Sequence, residues 1–377
     1  MSLRVAIVRR ERGNALSMDV YADNLIAELQ KVRPDWNIVE VAPRPWSKDS
    51  ADSWHSGNPI RKYFERFWHY PRTVSKYEAD LFHIIDHTDG HIAYWLKKLN
   101  KPVIVTCHDL VQFVYPEILK DQARIPALSM ATWRYSVKGM QQADRIVAVS
   151  TNTAKDVTQM LQIATEQVTV VPNGVDAQFK VLTGSKVEAR RKSYSSSPEL
   201  CLLNVGSTHQ RKNMETILQV LEVLRNKNVP VRLWKVGSEF TAKQKAYISD
   251  RQLESCITFI PYPDRTTLVE IYNAADILLA PSLYEGFGLT ILEAMACGTP
   301  VITSNVSSLP EVTNDAAILV NPLDVSAIVE GILQLQQDSS WRDRLIEKGL
   351  LRAKQFTWKQ TAETIALNYE KLGLTED

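Results

Sequence analysis

The stretch 277–305, ILLAPSLYEGFGLTILEAMACGTPVITSN, constrains the fold of this chain more than any other segment. An apolar run leads into a turn that holds two glycines, an apolar segment of helical length follows, and a Gly-Thr-Pro break precedes a second apolar run. This order predicts a strand over 277–282, a helix over 289–297 and a strand over 301–304. The stretch therefore predicts one βαβ unit of a parallel sheet.

Two glutamates are the only charged residues of this unit, Glu285 in the turn and Glu293 inside the apolar helix. The turn would lie at the carboxyl end of a strand and at the amino end of a helix, where unpaired N–H groups and the helix dipole favour an anion. Burial of Glu293 without a hydrogen-bond donor would cost about 2–7 kcal/mol. A ligand rich in hydroxyls would supply such donors, so both glutamates are candidate binding residues.

Length and charge limit the class of protein. At 377 residues the chain exceeds the roughly 250–300 residues at which a single core stops growing, so two domains are expected. Its 44 basic and 43 acidic residues nearly cancel, which excludes a global field that would attract nucleic acid or an anionic membrane. The N-terminal apolar run is too short for a signal peptide, and no run of about 18 apolar residues is present. The cysteines lack metal-type spacing, so we expect reduced thiols in a cytoplasmic protein at Cys107, Cys201, Cys256 and Cys297.

Apolar runs alternate with helical patterns along both halves of the chain and predict two doubly wound α/β domains. Most of these runs lack a polar and apolar alternation, which is typical of parallel strands covered on both faces. Ligands of such folds bind at the carboxyl ends of the strands, so the chemistry is expected in a cleft between the two sheets. The expected strands cover residues 4–8, 37–41, 81–85, 103–107, 145–150 and 168–172 in the first half, and 201–206, 231–237, 257–260, 277–282, 301–304 and 317–320 in the second.

A polar, basic segment between the two patterns predicts the domain boundary. We expect an N-terminal Rossmann-like domain over 1–178, a linker over 179–200 and a C-terminal Rossmann-like domain over 201–357. The linker cations Arg190, Arg191 and Lys192 are then solvated charges. The last helix, over about 358–377, is expected to pack back on the first domain.

Five sequence blocks carry a resemblance to a known family. They are VTCHDL at 105–110, ADRIVAVS at 143–150, VVPNGVD at 170–176, NVGSTHQRKN at 204–213, and the long block 271–312, in which Glu285 and Glu293 stand in an E-x7-E spacing. Together they resemble the retaining glycosyltransferases of the GT-B fold, family 4 (glycosyl transferases group 1). The resemblance covers most of the chain and is most specific in the second half.

The resemblance implies both a fold and an activity. The fold would be two Rossmann-like, doubly wound parallel-sheet domains facing a central cleft, the first on the acceptor side and the second binding the donor. The activity would be transfer of a sugar from a nucleotide-diphosphate sugar (UDP-, GDP- or ADP-sugar) to the hydroxyl of a sugar or lipid-linked acceptor, with retention at the anomeric carbon. No cofactor and no divalent metal would be required.

Site roles follow from the same resemblance. In the family the first glutamate contacts the donor sugar and the second contacts the nucleotide ribose, which are here Glu285 and Glu293. Arg211 and Lys212 lie between a predicted strand and a predicted helix, where two cations would clamp the diphosphate. The alternative for both cations is solvated surface charge. The family often has an arginine directly after the glycine, where this chain has Ser207.

The remaining donor and acceptor residues are expected at strand ends and in glycine-bearing loops. His108 ends a predicted strand and would orient the donor sugar, with a structural role as the alternative. Small residues let a ligand approach the backbone closely. The expected donor-binding set is completed by Gly206, Ile260, Gly286, Phe287, Gly288 and Leu289, and the acceptor side is expected at Gly13, Asn14, His87 and Asp109.

Two segments allow more than one interpretation. HIIDHTDGH at 83–91 has the density of ligands found in metal sites, but a wall facing the acceptor is favoured because the resembled enzymes work without a divalent metal. RKYFERFWHYPR at 61–72 interleaves cations with large aromatics. It could contact a lipid-linked acceptor peripherally at the inner membrane face, but a helix that covers the first sheet is favoured.

Two other function classes stay open at this point. The chain could be a GT-B-like epimerase or phosphorylase, or a non-catalytic protein that binds nucleotide-sugars. Pro261 stands where many members of the resembled family have a glycine near the base pocket, so the base is not identified.

Overall fold

The computed structural model describes residues 2–13, 16–43, 59–116, 126–195 and 199–373. These residues form two compact units, each described by itself. The first contains Met1–Gly174 together with Thr357–Asp377, and the second contains Val175–Phe356.

The first unit is built on a parallel sheet of six strands in the order β2-β1-β3-β4-β5-β6. Alternate residues of its strands enter two separate apolar cores, one on each face, so its central strands are apolar at nearly every position. The strands are β1 Arg4–Val8, β2 Asn37–Val41, β3 Leu81–Ile84, β4 Val103–Cys107, β5 Arg145–Ala148 and β6 Val168–Val170.

Helices cover both faces of this sheet. The last helix, α16 (Trp358–Gly373), lies beside α1 (Leu16–Val32), and Tyr369 of α16 belongs to the same apolar core as Leu25 of α1. The other helices of the unit are α2 Pro59–Phe64, α3 Tyr70–Val74, α4 Ala93–Leu96, α5 Val111–Val114, α6 Pro126–Lys138 and α7 Thr151–Leu161.

The second unit repeats the architecture with a parallel sheet in the order β12-β11-β10-β7-β8-β9. Its strands are β7 Leu200–Gly206, β8 Val231–Gly237, β9 Ile257–Ile260, β10 Ile277–Ala280, β11 Val301–Ser304 and β12 Ile318–Val320. Its helices are α8 Ser185–Tyr194, α9 Met214–Asn226, α10 Ala242–Asp250, α11 Arg265–Ala274, α12 Leu289–Ala296, α13 Leu309–Thr313, α14 Val325–Gln337 and α15 Ser339–Ala353. Strand order in both units agrees with doubly wound sheets.

The structure corrects the prediction of a linker over 179–200. Residues 185–194 of this segment form α8, which lies against α11 and belongs to the second unit. Arg190 pairs with Glu270 at 2.7 Å and Arg191 pairs with Asp276 at 2.8 Å. These arginines are therefore ion-paired and partly buried rather than solvated. Their carboxylate partners lie 80 or more positions along the chain, so the local sequence does not reveal the pairs.

Several predicted strands end earlier than expected. β10 stops at Ala280 and β6 at Val170, two residues before the predicted ends at 282 and 172. Pro281 and Pro172 lack the N–H that a ladder hydrogen bond needs, which accounts for the shorter strands. Within the described residues, no helix has the length and apolar character needed to cross a membrane.

Candidate functional site

The Glu285 carboxylate lies at the centre of an ion cluster in the second unit. Its Oε2 accepts a hydrogen bond from Arg211 Nη1 at 2.7 Å, and its Oε1 accepts one from Lys212 Nζ at 2.5 Å. Ser282 Oγ donates to Oε1 at 2.8 Å. Only 12% of the Glu285 side chain is exposed, so these charge-assisted bonds are shielded from water.

Two opposing effects set the pKa of Glu285. Burial acts to raise it, but the charges of Lys212 and Arg211 and the bonds from Lys212 and Ser282 outweigh burial and lower it to about 2. Glu285 is therefore ionised at neutral pH. It can accept hydrogen bonds, but it cannot donate a proton.

Strand ends bring the two halves of this cluster together. β7 and β10 are neighbours in the sheet, and the loops that follow them carry the cations and the carboxylate, respectively. The backbone N–H of Leu283 donates to the Arg211 carbonyl at 2.7 Å, and Asn213 Nδ2 donates to the carbonyls of Pro281 and Pro322 at 2.9 and 2.7 Å. These bonds fix the distance between the two loops.

The turn between Glu285 and α12 is held by two serines. Ser307 Oγ accepts from the Glu285 N–H at 3.0 Å, while Ser308 Oγ is 2.9 Å from the carbonyls of Glu285 and Phe287. Gly288, the residue before α12, has a φ of +113°, which favours glycine. No side-chain hydrogen bond caps the start of α12. The binding roles expected for Gly286, Phe287, Gly288 and Leu289 stay predictions.

Glu293 finds its hydrogen-bond donor within the protein. Tyr272 Oη on α11 donates to Glu293 Oε2 at 2.7 Å. Burial raises the pKa of Glu293, and the Tyr272 bond opposes that rise. The sequence predicted that a ligand would satisfy this glutamate, and it gave no sign of Tyr272, because nothing in the local sequence joins the two helices.

His108 belongs to the first unit and is buried at the end of β4. Its Nε2 lies 2.8 Å from the Ile85 carbonyl, and its ring packs edge-on against Tyr21 with centroids 4.7 Å apart. Burial is the main cause that lowers its pKa, so the ring is neutral at pH 7. A neutral ring that donates from Nε2 to a carbonyl carries an acceptor lone pair on Nδ1, which suits a sugar hydroxyl.

The polar side chains of the segment 83–91 are bonded to other protein groups. His83 is buried between Tyr369 Oη at 2.6 Å and Thr106 Oγ1 at 2.7 Å, and His91 is bonded to the Arg66 carbonyl at 2.9 Å and to Ser136 at 3.1 Å. The other members are also engaged: Asp86 pairs with Arg10, Asp89 pairs with Arg66, and His87 Nδ1 accepts from the His108 N–H. In the parts of the chain that the structure describes, no group of three or more His, Cys, Asp or Glu could hold a metal ion.

The other expected residues lie at loop and strand ends. The Gly13 N–H donates to Asp19 at 2.8 Å, and Asp109 accepts from the Val111 N–H at 3.2 Å. Asn14 lies outside the described residues. Gly206 ends β7 with a φ of +131°, and Ile260 is buried at the end of β9.

The segment 61–72 lies partly on the first sheet and partly at the surface. Its C-terminal part covers the first sheet, with Tyr70 Oη bonded to the Arg9 and Val41 carbonyls at 2.6 and 2.8 Å. Its other face and the preceding residue expose large apolar side chains, with exposed fractions of 79% for Ile60, 54% for Phe64 and 51% for Trp68.

Comparison with known proteins gives a consistent result. The family model described as Glycosyltransferase Family 4 matches residues 17–179, and the model described as Glycosyl transferases group 1 matches residues 185–352. The chain is 30% identical to the O-antigen chain mannosyltransferase B of Escherichia coli over 279 residues, which are 72% of this chain and 71% of that protein.

Solved structures show the same fold. Sucrose-phosphate synthase from Thermosynechococcus elongatus matches with a TM-score of 0.78 and 22% identity, over 99% of this chain and 100% of that chain. Anabaena Alr3699/HepE in complex with UDP-glucose matches with a TM-score of 0.77 and 16% identity, over 98% and 100%. With the two parallel six-stranded sheets, these matches confirm the predicted GT-B fold class.

Proposed function

This chain belongs to the glycosyltransferases, and from that premise we propose that it transfers a sugar from a nucleotide-diphosphate sugar to an acceptor hydroxyl with retention of configuration. The observation that carries the proposal is the cluster of Glu285, Arg211 and Lys212 beside the uncapped start of α12. It combines two cations for a diphosphate with a carboxylate for sugar hydroxyls.

The cluster has to change partners when the donor binds. In the free protein Glu285 is the counter-ion of both cations. A diphosphate brings more negative charge than one carboxylate, so it can bind Arg211 bidentately and pair with the Lys212 ammonium. Glu285 is then released to accept hydrogen bonds from the sugar, while the N–H groups at the start of α12 face the phosphate or a sugar oxygen.

The transfer itself needs stabilisation of the leaving group. The bond between the anomeric carbon and the phosphate oxygen breaks while the bond to the acceptor oxygen forms on the same face of the sugar. The departing phosphate oxygen takes the acceptor proton, and Arg211 and Lys212 hold the charge that develops on the diphosphate. Glu285 does not supply a proton in this scheme, since its pKa is about 2.

The other groups orient the donor. Glu293, held in place by Tyr272, is proposed to accept from the ribose hydroxyls, and His108 Nδ1 is proposed to accept from a hydroxyl of the donor sugar. The mannosyltransferase relative favours mannose as the transferred group. The UDP-glucose bound to the Anabaena structure supports a nucleotide-sugar as the donor without selecting its base.

A donor panel followed by a transfer assay tests this function. Thermal unfolding is measured with UDP, GDP, ADP and their sugars, and the donor that stabilises the protein is then used in product analysis with and without simple sugar acceptors. We expect Lys212→Ala and Glu285→Ala to reduce transfer on the order of 100-fold, whereas Glu270→Gln, which breaks an ion pair outside the cluster, leaves it near wild type.

The outcomes separate the alternatives. Transfer at wild-type rate in both cluster variants would refute the assigned roles. A changed sugar in the absence of acceptor would indicate an epimerase, and stabilisation by a nucleotide without any turnover would indicate a binding protein.

We also propose a peripheral membrane contact for the exposed apolar side chains Ile60, Phe64 and Trp68. Together with nearby cations they have the chemistry of a segment that lies in a lipid interface. Co-sedimentation with anionic vesicles should be lost in the triple substitution of these residues by serine, and equal sedimentation of both proteins would rule the contact out.

A further inference from the structure

Lys235 is a fully buried lysine that no sequence motif indicated. It lies on β8 with 0% of its surface exposed, between Asn204 of β7 and Phe259 of β9 in the sheet register. Its Nζ donates to the Gly206 carbonyl at 2.6 Å and to the Val236 carbonyl at 2.9 Å. Within the described residues, no carboxylate lies within ion-pair distance of this ammonium group, which makes its burial unfavourable.

Two lysines approach the same glycine at the end of β7. Lys235 is bonded to the carbonyl of Gly206, and a Cβ placed on Gly206 would lie 3.8 Å from the Nζ of Lys212. Arg211 and Lys212 share one carboxylate, Glu285. Among these four side chains three positive charges therefore face one negative charge, which leaves an excess that suits a diphosphate.

We propose that Lys235 is a third cation of the diphosphate site, a positioning residue that acts from inside the sheet through Gly206 and Lys212 rather than by touching the ligand. This inference rests on the proposed function. Its bond to the Gly206 carbonyl fixes the turn from which the cations project, and its charge adds to their attraction for the phosphates.

Proton linkage distinguishes this role from a purely structural one. Burial, followed by the charge of Lys212, lowers the pKa of Lys235 to about 8. The neighbours on β7 and β9 are uncharged, and His209, whose pKa is lowered by burial and by Arg211 and Lys212, is neutral at pH 8. An anion near Lys235 raises its pKa, so binding at pH 8–8.5 should take up protons, and affinity should fall as the pH rises through 8.

Calorimetry tests the proposal with the full chain and the nucleoside diphosphate that binds among UDP, GDP and ADP. Binding is measured at pH 8.3 in Tris and in HEPPS, whose different ionisation enthalpies report proton uptake. Lys235→Met is compared with Lys62→Met, a matched control on the first unit, since burial and the charges of Arg66 and Arg10 also lower the pKa of Lys62 to about 8.

We expect wild type and Lys62→Met to take up protons, and Lys235→Met to bind about tenfold more weakly without uptake. Wild-type affinity in Lys235→Met, or no uptake by wild type, would overturn the inference while leaving the proposed function standing. If none of the three nucleotides binds wild type, the proposed function fails and this inference with it. If Lys235→Met does not fold, the comparison of wild type with Lys62→Met tests the proposal. Proton uptake by both proteins supports it, and loss of proton uptake in Lys62→Met refutes it.

Discussion

Replacement of Glu285 by glutamine removes a charge while keeping the shape of the side chain. In the free protein this leaves Arg211 and Lys212 side by side without their carboxylate. A pKa of about 2 against an ordinary value of 4.5 corresponds to about 3 kcal/mol of stability at neutral pH. We therefore expect Glu285→Gln to lower the free energy of unfolding of the second unit by up to about 3 kcal/mol.

The sign of the pH dependence follows from the direction of the shift. Because the pKa of Glu285 is lower in the folded protein, the stabilisation is complete above pH 4.5 and is lost as the pH falls towards 2. The difference between wild type and Glu285→Gln should shrink to less than half by about pH 3. In a unit of this size each kcal/mol shifts the Tm by about 2–4 °C, so the expected decrease at pH 7 is about 6–12 °C.

The same substitution should act in opposite directions on binding and transfer. Without Glu285 the diphosphate no longer has to displace a counter-ion, so nucleotide affinity should hold or rise, while transfer should fall on the order of 100-fold. Glu270→Gln is the matched control, since Glu270 pairs with Arg190 outside the cluster. An unchanged Tm together with weaker nucleotide binding would refute the view that Glu285 is the counter-ion of the free site.

Three further substitutions or treatments test other parts of the site. Tyr272→Phe removes the donor to Glu293 and should cost about 1–3 kcal/mol in urea unfolding while weakening nucleotide binding. His83→Ala breaks the buried link between Thr106 and Tyr369 and should destabilise the first unit by about 2–4 kcal/mol without changing nucleotide affinity by calorimetry. EDTA should leave the transfer rate unchanged, and a rate restored only by added divalent metal would contradict the metal-independent scheme.

The local pattern of apolar residues was sufficient to predict the strands, because both faces of each sheet are buried. A strand with two covered faces is apolar at nearly every position, and such runs stand out from the helical periodicity around them. The helix Ser185–Tyr194 carries no such signal, since it buries little apolar surface and is anchored by ion pairs to Glu270 and Asp276. These partners lie far along the chain, so the local sequence predicted a linker here instead of a helix.

Residues of the candidate site could be predicted only where they lie in sequence motifs. The sequence predicted Arg211, Lys212 and Glu285 as site residues because they lie where a strand end leads into a helix start, and the structure brings these three side chains together. Their roles stay predictions. Tyr272, Ser307 and Ser308 were missed, since their roles depend on contacts between segments that are 20 or more residues apart. Lys235 did leave a signal, because a lysine inside the apolar strand VRLWKVG conflicts with its surroundings.

Burial of the Lys235 ammonium in this strand has an energetic cost, and this cost bears on the proposed diphosphate site. The pKa of Lys235 falls from 10.5 to about 8 on folding, which costs about 3 kcal/mol at neutral pH and is relieved only as the pH rises from 8 towards 10.5. A methionine would fill the same space without that cost. Glu285 therefore stabilises the cluster, whereas the buried ammonium of Lys235 destabilises it. Under the proposed function, a bound diphosphate would displace Glu285 and would add negative charge near Lys235. The first effect would oppose donor binding and the second would favour it, so we expect the substitutions Glu285→Gln and Lys235→Met to be non-additive in a double-mutant cycle of nucleotide affinity.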